Sequence, residues 1–408
     1  MHEDPFRIDE LPSRAPLRVA VVTETYPPEI NGVAMTIGRM VDGLLRRNHR
    51  IQLIRPRQHE GEAPAQDAAF EEMLARGLPI PNYGELKLGL PAKQRLARLW
   101  SLRRPDLVHI VTEGPLGWSA LAAARKLRLP VVSDFHTNFH SYSRHYGLGW
   151  LRQPISGYLR RFHNKTDATL VPTVTLQRDL AGRGYRNLQV VARGVDATLF
   201  RPGRRCAALR ASWHAGPRDP VAIYVGRIAP EKNLPLLFQA VAAIQEVRPG
   251  AKLVMVGDGP ARRALERDWP QHIFAGMRTG EDLAAHYASA DLFLFPSLTE
   301  TFGNVTAEAL ASGLAVVAYD YAAAGQLVRD GENGLLAPFD DGAAFVAAAA
   351  RLAGDAALLR ALQARAPASV DAMDWDRIVQ HLVATFERAI HLHGRNDDAQ
   401  AVAAIAPD

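Results

Sequence analysis

Two basic and two acidic side chains, in loops that follow short apolar runs, have types and spacings that suggest chemistry. Arg227 and Lys232 stand five residues apart, and a guanidinium fork beside an ammonium charge suits a diphosphate. Glu300 and Glu308 stand in a later loop, and carboxylates accept hydrogen bonds from sugar hydroxyls. Each pair alone also fits a solvated surface.

The loop around Glu300 predicts a helix of small residues. We expect Asn304 to cap this helix and Gly313 to end it. Glu300 then lies in the loop and Glu308 on the first helical turns. Backbone N–H groups at the start of such a helix are free for hydroxyl or phosphate oxygens.

A third loop, after the first apolar run, places Gly32 before a helical stretch from Met35 to Leu45. A glycine there lets an anion approach the N–H groups, and the helix dipole favours negative charge. A tight Asn-Gly turn is the alternative. The sequence has no Gly-x-Gly-x-x-Gly or Walker motif, so it does not support an ordinary dinucleotide or P-loop site.

Short β-branched runs alternate with helix-like segments along the chain, in two series. The first series is Arg18–Val22, Ile51–Ile54, Leu107–Val111, Val131–Ser133, Ala168–Val171 and Leu188–Val191. The second is Val221–Val225, Lys252–Val256, His272–Phe274, Leu292–Phe295, Ala315–Ala318 and Leu335–Leu336. Alternating strands and helices predict parallel sheets covered on both faces. The expected fold class is therefore α/β, with two doubly wound domains.

A stretch rich in proline, glycine and arginine, Thr198–Pro220, separates the two series and includes a predicted short helix, Cys206–Trp213. An amphipathic helix is expected over Trp375–His393, with a frayed tail from Gly394. We expect a first domain of residues 1–198 with helix 375–393, a second of 199–374, and a flexible tail of 394–408. Loops at the carboxyl ends of the two sheets would then face each other across a cleft.

Composition excludes several classes of protein. The 408 residues carry 48 Lys and Arg against 43 Asp and Glu, a net charge of +5, which is too small an excess to demand nucleic acid. The single cysteine, Cys206, excludes a disulfide scaffold. No run reaches about 18 uncharged apolar residues, and the first residues show no apolar signal core. We therefore expect a cytoplasmic protein.

The segment from Glu300 to Glu308 resembles the Glu-x7-Glu motif of the retaining glycosyltransferases of family 4. These enzymes have the GT-B fold, in which two Rossmann-like domains face each other across a cleft and a C-terminal helix crosses back to the first domain. Further motifs extend the resemblance over nearly the whole chain: Glu24–Pro28, Gly226–Asn233, Val256–Pro260, Ala290–Ser297 and Asp330–Leu336.

The resemblance implies a role for each matching residue. Arg227 and Lys232 bind the donor diphosphate, Glu308 binds the ribose, and Gly32 lies at the donor site. The donor sugar is held by Glu300 and the backbone of Phe302, Gly303, Asn304 and Val305, and the base by the loop of Met277 and Arg278. The chain has Gln326 where many relatives have glutamate, and we assign this residue no role.

A finer resemblance is to GDP-mannose-dependent α-mannosyltransferases and sulfoquinovosyl-diacylglycerol synthases. It rests on Thr112–Gly117, Asp134–Phe139 and Arg193–Asp196. It implies that His136 lies near the reacting carbon of the donor, so that His136, Glu300, Arg227 and Lys232 are the candidate catalytic residues. His140 and His145 follow closely, but no cysteine or clustered acid completes a metal site, and we expect neither a metal nor a cofactor.

The resemblance implies transfer of a hexose, mannose or a glucose type, from a GDP- or UDP-linked sugar with retention. For the acceptor we hypothesise a lipid or lipid-linked molecule, reached by a protein on the inner face of the cytoplasmic membrane. Two basic segments would contact anionic lipid: Lys93, Arg95, Arg98, Arg103 and Arg104, interleaved with Leu96, Leu99, Trp100 and Leu102; and Arg152, Arg160, Arg161 and Lys165. A solvated cationic face on a core-packed helix is the alternative for the first segment.

Three other functions stay open at the sequence level. The first is a transferase for a soluble acceptor, of the sucrose or trehalose type. The second is a GT-B epimerase that acts on nucleotide sugars. The third is a two-lobed, non-catalytic sugar-binding protein, which would be expected to carry a signal peptide.

Overall fold

The computed structural model describes residues 15–29, 31–80, 83–136 and 152–405. Two parallel sheets and a two-stranded antiparallel sheet make up the strands of this part of the chain. In chain order the first nine strands are β1 (Arg18–Val22), β2 (Arg50–Pro56), β3 (Phe70–Ala75), β4 (Gly77–Ile80), β5 (Tyr83–Gly89), β6 (Leu107–Ile110), β7 (Val131–Asp134), β8 (Ala168–Val171) and β9 (Leu188–Val190).

The first parallel sheet has seven strands in the order β3-β2-β1-β6-β7-β8-β9. In register, Val19 of β1 pairs with Ile51 of β2 on one side and with Leu107 of β6 on the other. All three side chains are buried, as expected for a sheet covered on both faces. Continuous β-branched runs therefore predict these central strands well.

The second parallel sheet has six strands: β10 (Val221–Val225), β11 (Lys252–Val256), β12 (Ile273–Gly276), β13 (Leu292–Phe295), β14 (Ala315–Tyr319) and β15 (Gly334–Ala337). Their order is β12-β11-β10-β13-β14-β15, which is the Rossmann order. The direction of winding reverses between β10 and β13. Loops after these two strands therefore lie at the switch point where such sheets bind ligands.

Helices follow most of the strands, as the alternating pattern predicts. They are α1 (Gly32–Arg46), α2 (Lys93–Leu102), α3 (Pro115–Lys126), α4 (Arg152–His163), α5 (Val174–Gly182), α6 (Ala207–Ser212), α7 (Leu234–Val247), α8 (Arg262–Asp268), α9 (Gly280–Ser289), α10 (Asn304–Ala311), α11 (Ala322–Leu327), α12 (Gly342–Gly354), α13 (Ala356–Arg365) and α14 (Trp375–Ile405). Short 3-10 helices occupy Pro202–Arg204, Pro230–Lys232 and Pro367–Met373.

The predicted elements match these closely, with two errors. Every predicted strand is present, with ends shifted by at most two residues, whereas β3, β4 and β5 were not predicted. The final helix continues to Ile405. The expectation of a frayed tail from Gly394 is therefore wrong for residues 394–405, whose backbone is helical.

The chain divides into two compact units. The first comprises Met1–Glu29, Ile37–Val132 and Phe386–Asp408, and the second Ile30–Thr36 and Ser133–Thr385. The last helix thus contributes its second part to the first unit, where the Phe386 ring lies edge-on to His109 with 5.2 Å between centroids. The domain bounds expected from the sequence stay predictions.

No single helix in the described part of the chain is both long and apolar enough to cross a membrane. Two helices joined at a bend, Gly342–Gly354 and Ala356–Arg395, are together long and apolar enough to cross a membrane, judged by length and composition alone.

Candidate functional site

The predicted charged residues collect in the loops that follow β10 and β13, within the second unit. Lys232 and Glu300 form an ion pair there, with side chains only 13% and 15% exposed. Ser297 donates a second hydrogen bond to the same carboxylate oxygen, Glu300 Oε1, at 2.7 Å. Lys232 Nζ also lies 5.9 Å from the centre of the Phe295 ring. Partial burial strengthens this pair relative to a surface pair.

Arg227 is held by a buried carboxylate. Its Nη1 lies 3.4 Å from Glu231 Oε1, and the Glu231 side chain is fully buried while that of Arg227 is 32% exposed. Tyr224 donates a hydrogen bond to the Arg227 carbonyl at 2.9 Å. The guanidinium is therefore anchored by a buried carboxylate while about a third of the side chain remains exposed, which suits a cation that binds an anionic ligand.

The backbone of the Glu300 loop is fixed by two hydroxyl groups. Tyr321 donates to the Glu300 carbonyl at 2.5 Å, and Thr301 Oγ1 donates to the His136 carbonyl at 2.7 Å. The loop is therefore joined to the chain segment that carries the predicted histidine. Sequence reasoning assigned no role to Thr301 or Tyr321.

The helix after this loop starts one residue earlier than predicted. Gly303, with φ of 91°, occupies the N-cap position, and Asn304 is the first helical residue. Asn304 is thus not the cap, because a left-handed φ at the cap favours glycine. Its side-chain amide instead donates to Thr36 Oγ1 at 3.2 Å. Gly313, with φ of 80°, follows the helix end as predicted.

Phe302 and Val305, on either side of the Gly303 cap, differ in burial. The Phe302 side chain is buried, and its carbonyl accepts the N–H of Ala323 at 2.8 Å. Val305 lies in the first turn of α10 and is half-buried. Because no side chain caps the helix start, the N–H groups of its first turn can serve a ligand.

Glu308 lies on α10, as predicted, and its carboxylate accepts a hydrogen bond from the Tyr287 hydroxyl at 2.9 Å. Burial raises the pKa of Glu308 to about 7, and the Tyr287 hydrogen bond opposes the shift. The group therefore changes charge near neutral pH, a property often found at functional sites.

The Gly32 loop has features of both structures predicted from the sequence, an open helix start that could bind an anion and a tight Asn-Gly turn. Helix α1 begins at Gly32, and nothing lies within 4 Å of the position that a Cβ would occupy. Asn31 Oδ1 accepts the N–H groups of Val33 at 3.1 Å and Ala34 at 2.9 Å. Two of the N–H groups expected to serve an anion are therefore already bonded to Asn31.

The predicted base-binding loop follows β12. Met277 is 48% exposed, which leaves it available to a ligand. Arg278 donates to the Ala275 carbonyl at 2.9 Å and to Asp282 at 3.1 Å. Its guanidinium is thus held against its own loop, which stiffens the backbone around Met277.

His136 follows β7 and lies between two buried charged residues. Its Nε2 is 3.0 Å from Asp134 Oδ2, and its Nδ1 is 3.4 Å from Arg193 Nη2. Asp134 is 0% and Arg193 2% exposed. Burial lowers the pKa of the Arg193 guanidinium and the Asp134 carboxylate opposes this shift. Sequence reasoning named both motifs but missed this contact.

The motif Arg193–Asp196 has a packing reason for each residue after the arginine. A Cβ on Gly194 would lie 2.5 Å from the Trp375 ring, so only glycine fits. The Val195 N–H donates to the Met373 carbonyl at 2.8 Å. Asp196 accepts the N–H of Leu199 at 3.0 Å. The backbone that carries Arg193 is therefore held on several sides.

In the first unit, the motifs Glu24–Pro28 and Thr112–Gly117 meet. The Glu24 N–H donates to Thr112 Oγ1 at 2.9 Å, and the Glu24 carboxylate lies against Gly114. Burial raises the pKa of Glu24 to about 7; the N–H of Leu116 lowers it, and nearby Glu113 adds to the rise. Both motifs are thus parts of one local structure.

The first basic segment lies on a helix that packs its apolar side into the protein and leaves some of its cations exposed. Leu96 and Trp100 of α2 are fully buried, which supports the alternative of a cationic face on a core-packed helix. Arg95 and Arg104 donate to backbone carbonyls, and Arg103 pairs with Glu71. Lys93, Arg98 and, at 78% exposure, Leu102 face solvent. In the second segment, Arg160 bonds to the Arg183 carbonyl.

Among the described residues, no group of three or more His, Cys, Asp or Glu could hold a metal ion. His140 and His145 lie outside the described residues.

Comparison with known proteins gives two family matches in this chain. Residues 30–199 match a model described as Glycosyltransferase Family 4. Residues 219–355 match a model described as Glycosyl transferases group 1. Together the two matches cover Arg227, Lys232, Glu300, Glu308, His136 and Arg193.

Three curated relatives bear on the activity. A GDP-mannose-dependent alpha-mannosyltransferase of Mycolicibacterium smegmatis is 35% identical over 79% of this chain and 85% of its own length. A sulfoquinovosyl transferase of Arabidopsis thaliana is 34% identical over 64% of this chain and 51% of its own. An alpha-monoglucosyldiacylglycerol synthase of Streptococcus pneumoniae is 26% identical over 78% of this chain and 75% of its own length.

A solved structure shares the fold. Sucrose-phosphate synthase from Thermosynechococcus elongatus superimposes with a TM-score of 0.75, covering 92% of this chain and 100% of that one, at 18% identity.

Proposed function

The chain belongs to glycosyltransferase family 4 and has the GT-B fold, and we propose that this hexosyltransferase moves a hexose, with retention, onto a lipid or lipid-linked acceptor. The donor is a nucleotide diphosphate sugar, with GDP-mannose as the first candidate and UDP-sugars as the next. The mycobacterial relative is a GDP-mannose-dependent alpha-mannosyltransferase, which supports GDP-mannose as the donor. The diacylglycerol product named for the streptococcal relative supports the lipid acceptor.

The contact between Lys232 and Glu300 carries this proposal. In a nucleotide sugar, a single glycosidic oxygen joins the diphosphate to the sugar. A cation for the diphosphate and a carboxylate for the sugar hydroxyls must therefore lie side by side. The ion pair of Lys232 with Glu300 supports this assignment, and so does the Arg227 guanidinium, which Glu231 anchors in the same loop as Lys232.

The mechanism that suits these residues is a front-face displacement. The bond from the anomeric carbon to the phosphate oxygen breaks, and the acceptor oxygen bonds to the same face of that carbon. Arg227 and Lys232 stabilise the negative charge that grows on the departing diphosphate. A phosphate oxygen takes the proton of the acceptor hydroxyl, so no protein nucleophile is needed.

The remaining donor contacts follow from the positions described above. Glu300 and the N–H groups of the α10 first turn would bind the sugar, and Glu308 the ribose. Met277 and the backbone around Arg278 would face the base. Gly32 would offer its N–H to a phosphate oxygen. His136 would lie near the anomeric carbon, where we assign it a catalytic role.

The acceptor proposal places the protein on an anionic membrane surface, on the cytoplasmic side. Lys93, Arg98 and Leu102 of α2 support it, because they leave two positive charges and one apolar side chain exposed on one helix. Each basic residue near such a surface contributes about 1 kcal/mol. We propose no nucleic acid partner.

A partition experiment tests the function. The protein is incubated with sugar-labelled GDP-mannose or UDP-glucose, each with and without vesicles that contain diacylglycerol and glycosylated diacylglycerols. The proposal predicts label in the organic phase and release of nucleoside diphosphate, both dependent on vesicles. Label found only in a water-soluble glycoside, or an epimerised donor formed without any acceptor, would contradict it.

A further inference from the structure

Arg193 is one of the most deeply buried charged side chains in the described part of the chain. It is 2% exposed, and its Nη1 has no hydrogen-bond partner among the described residues. Burying a guanidinium is costly unless a partner compensates for the lost hydration. Asp134 supplies an opposing charge, and the Nη2 contact at 3.4 Å goes to His136.

Hydrogen-bond chemistry then determines the state of His136. A guanidinium has only donors and stays protonated in proteins. Nδ1 of His136 must therefore accept from Arg193 and carries no proton. Nε2 faces the Asp134 carboxylate at 3.0 Å, which only accepts, so Nε2 carries the proton. The imidazole is a neutral Nε2–H tautomer with both ring nitrogens bonded.

We propose that Arg193 is a positioning residue of the transfer reaction, which fixes His136 in one orientation and as one neutral tautomer. The His136 backbone is coupled to the donor-sugar loop, because its carbonyl accepts the Thr301 hydroxyl at 2.7 Å. A rotated imidazole would thus disturb the segment that the Glu300 loop contacts. The inference rests on the reaction site proposed above.

The arrangement also balances charge. Arg193 carries one positive charge and Asp134 one negative charge, while His136 stays neutral. If His136 were a charged imidazolium, its positive charge would lie close to the sugar. The sugar itself becomes positively charged as the diphosphate departs, so the two charges would repel each other. With both ring nitrogens bonded, His136 takes no proton from the acceptor, which leaves that proton to the phosphate oxygen.

The test compares Arg193→Met, which keeps a long side chain without a donor, with Arg193→Lys, which keeps a cationic donor. Steady-state kinetics should show kcat lowered at least about tenfold in Arg193→Met, with the KM for the donor little changed, since a positioning residue acts through His136 and not on the nucleotide. Arg193→Lys should recover most of that loss. Arg210→Met is the control: Arg210 is also buried and ion-paired, to Asp291 at 2.9 Å, and should lose stability but not kcat per folded molecule.

A second readout needs no substrate. Nitrogen NMR of histidine-labelled protein reports the tautomer of His136, assigned by the signal lost in His136→Asn. Wild type and Arg193→Lys should show the neutral Nε2–H form from about pH 6 to about pH 8. In Arg193→Met, Nδ1 no longer faces a cationic donor while Nε2 still faces Asp134, so Nδ1 should take up a proton at the lower end of this range. If Arg193→Met does not fold, Asp134→Asn/Arg193→Met lacks both fixed partners and should show both neutral tautomers, whereas Asp134→Asn alone should keep Nε2–H.

The following results would overturn the inference: an Nδ1 that stays unprotonated in Arg193→Met over the same pH range, a normal kcat in Arg193→Met, or an Arg193→Lys variant as slow as Arg193→Met. Because the tautomer is measured without donor or acceptor, its outcome is separate from that of the partition experiment. A lipid acceptor that proves wrong leaves the Arg193 inference intact.

Discussion

Lys232 and Glu300 are ion-paired although 68 residues separate them in the sequence. They come from loops after β10 and β13, neighbours in the second sheet at the point where the strand order reverses. Each cation of this region has a carboxylate partner, Glu300 for Lys232 and Glu231 for Arg227. In the proposed donor complex, the diphosphate replaces the Glu300 contact with Lys232, which frees that carboxylate for the sugar.

Removal of the Glu300 charge should therefore impair transfer. Glu300→Gln keeps the shape and loses the carboxylate, and we expect turnover to fall at least about tenfold. Lys232→Ala and His136→Ala should do the same. Initial rates of nucleoside diphosphate release measure this effect. Glu332→Gln is the matched control, because Glu332 is 59% exposed, and near-normal rates in all three site variants would refute the site.

Glu308 should make stability depend on pH. Its pKa is raised from 4.5 to about 7, so between these values the folded protein holds a proton that the unfolded chain releases. The free energy of unfolding then falls as pH rises through this window. Glu308→Gln has no group that titrates at this position, so its stability lacks this fall. The Tm difference, variant minus wild type, should therefore increase from about pH 5 to about pH 8. A constant difference would show that the Glu308 pKa is not raised.

The same carboxyl group should tune donor affinity. Above pH about 7 the ionised Glu308 is a stronger acceptor for ribose hydroxyls. We expect the affinity for GDP-mannose to rise through neutral pH in wild type and to stay flat in Glu308→Gln. Calorimetry with GDP-mannose is suitable, because its diphosphate has no terminal phosphate that titrates in this range. Parallel pH profiles in the two proteins would remove Glu308 from the donor site.

Gly117 and Gly157 should respond oppositely to alanine. A Cβ on Gly117 of α3 would overlap the Thr112 carbonyl oxygen, and we expect Gly117→Ala to destabilise by about 1–3 kcal/mol. Gly157 of α4 has nothing within 4 Å of its Cβ position, so Gly157→Ala should stabilise by about 0.4–1 kcal/mol. Urea denaturation measures both, and equal shifts would contradict the packing around Thr112.

The exposed basic face of α2 should attract anionic membranes. Lys93→Glu/Arg98→Glu should reduce flotation with vesicles of anionic lipid, and added salt should weaken wild-type binding in the same assay. Arg263→Glu/Arg360→Glu, which changes two exposed residues of the second unit, controls for net charge. Equal flotation of all three proteins, or none with either anionic or neutral vesicles, would contradict the membrane proposal.

The sequence predicts the central strands because their burial is encoded locally, in β-branched runs such as Val221–Val225. It does not predict β3, which includes two glutamates. One of these, Glu72, is buried because Arg55 of β2 pairs with it at 2.7 Å. Such a pairing between distant residues leaves no periodic signal in either segment.

The site shows the same division. Arg227, Lys232, Glu300 and Glu308 could be found from residue type and loop position. The contact of Arg193 with His136 could not, since 57 residues separate them and only the fold brings them together. The cap at Gly303 was missed because a left-handed φ there, not a side-chain oxygen, starts the helix.

The central claim is that Lys232 and Glu300 mark the donor diphosphate site, and titration calorimetry with GDP tests it most directly. We predict that wild type and the control Lys252→Met bind GDP alike, because Lys252 lies at the opposite end of a strand, where β11 begins. Lys232→Met should weaken GDP binding at least about tenfold. Equal affinity of Lys232→Met and wild type for GDP, UDP and ADP would contradict the claim.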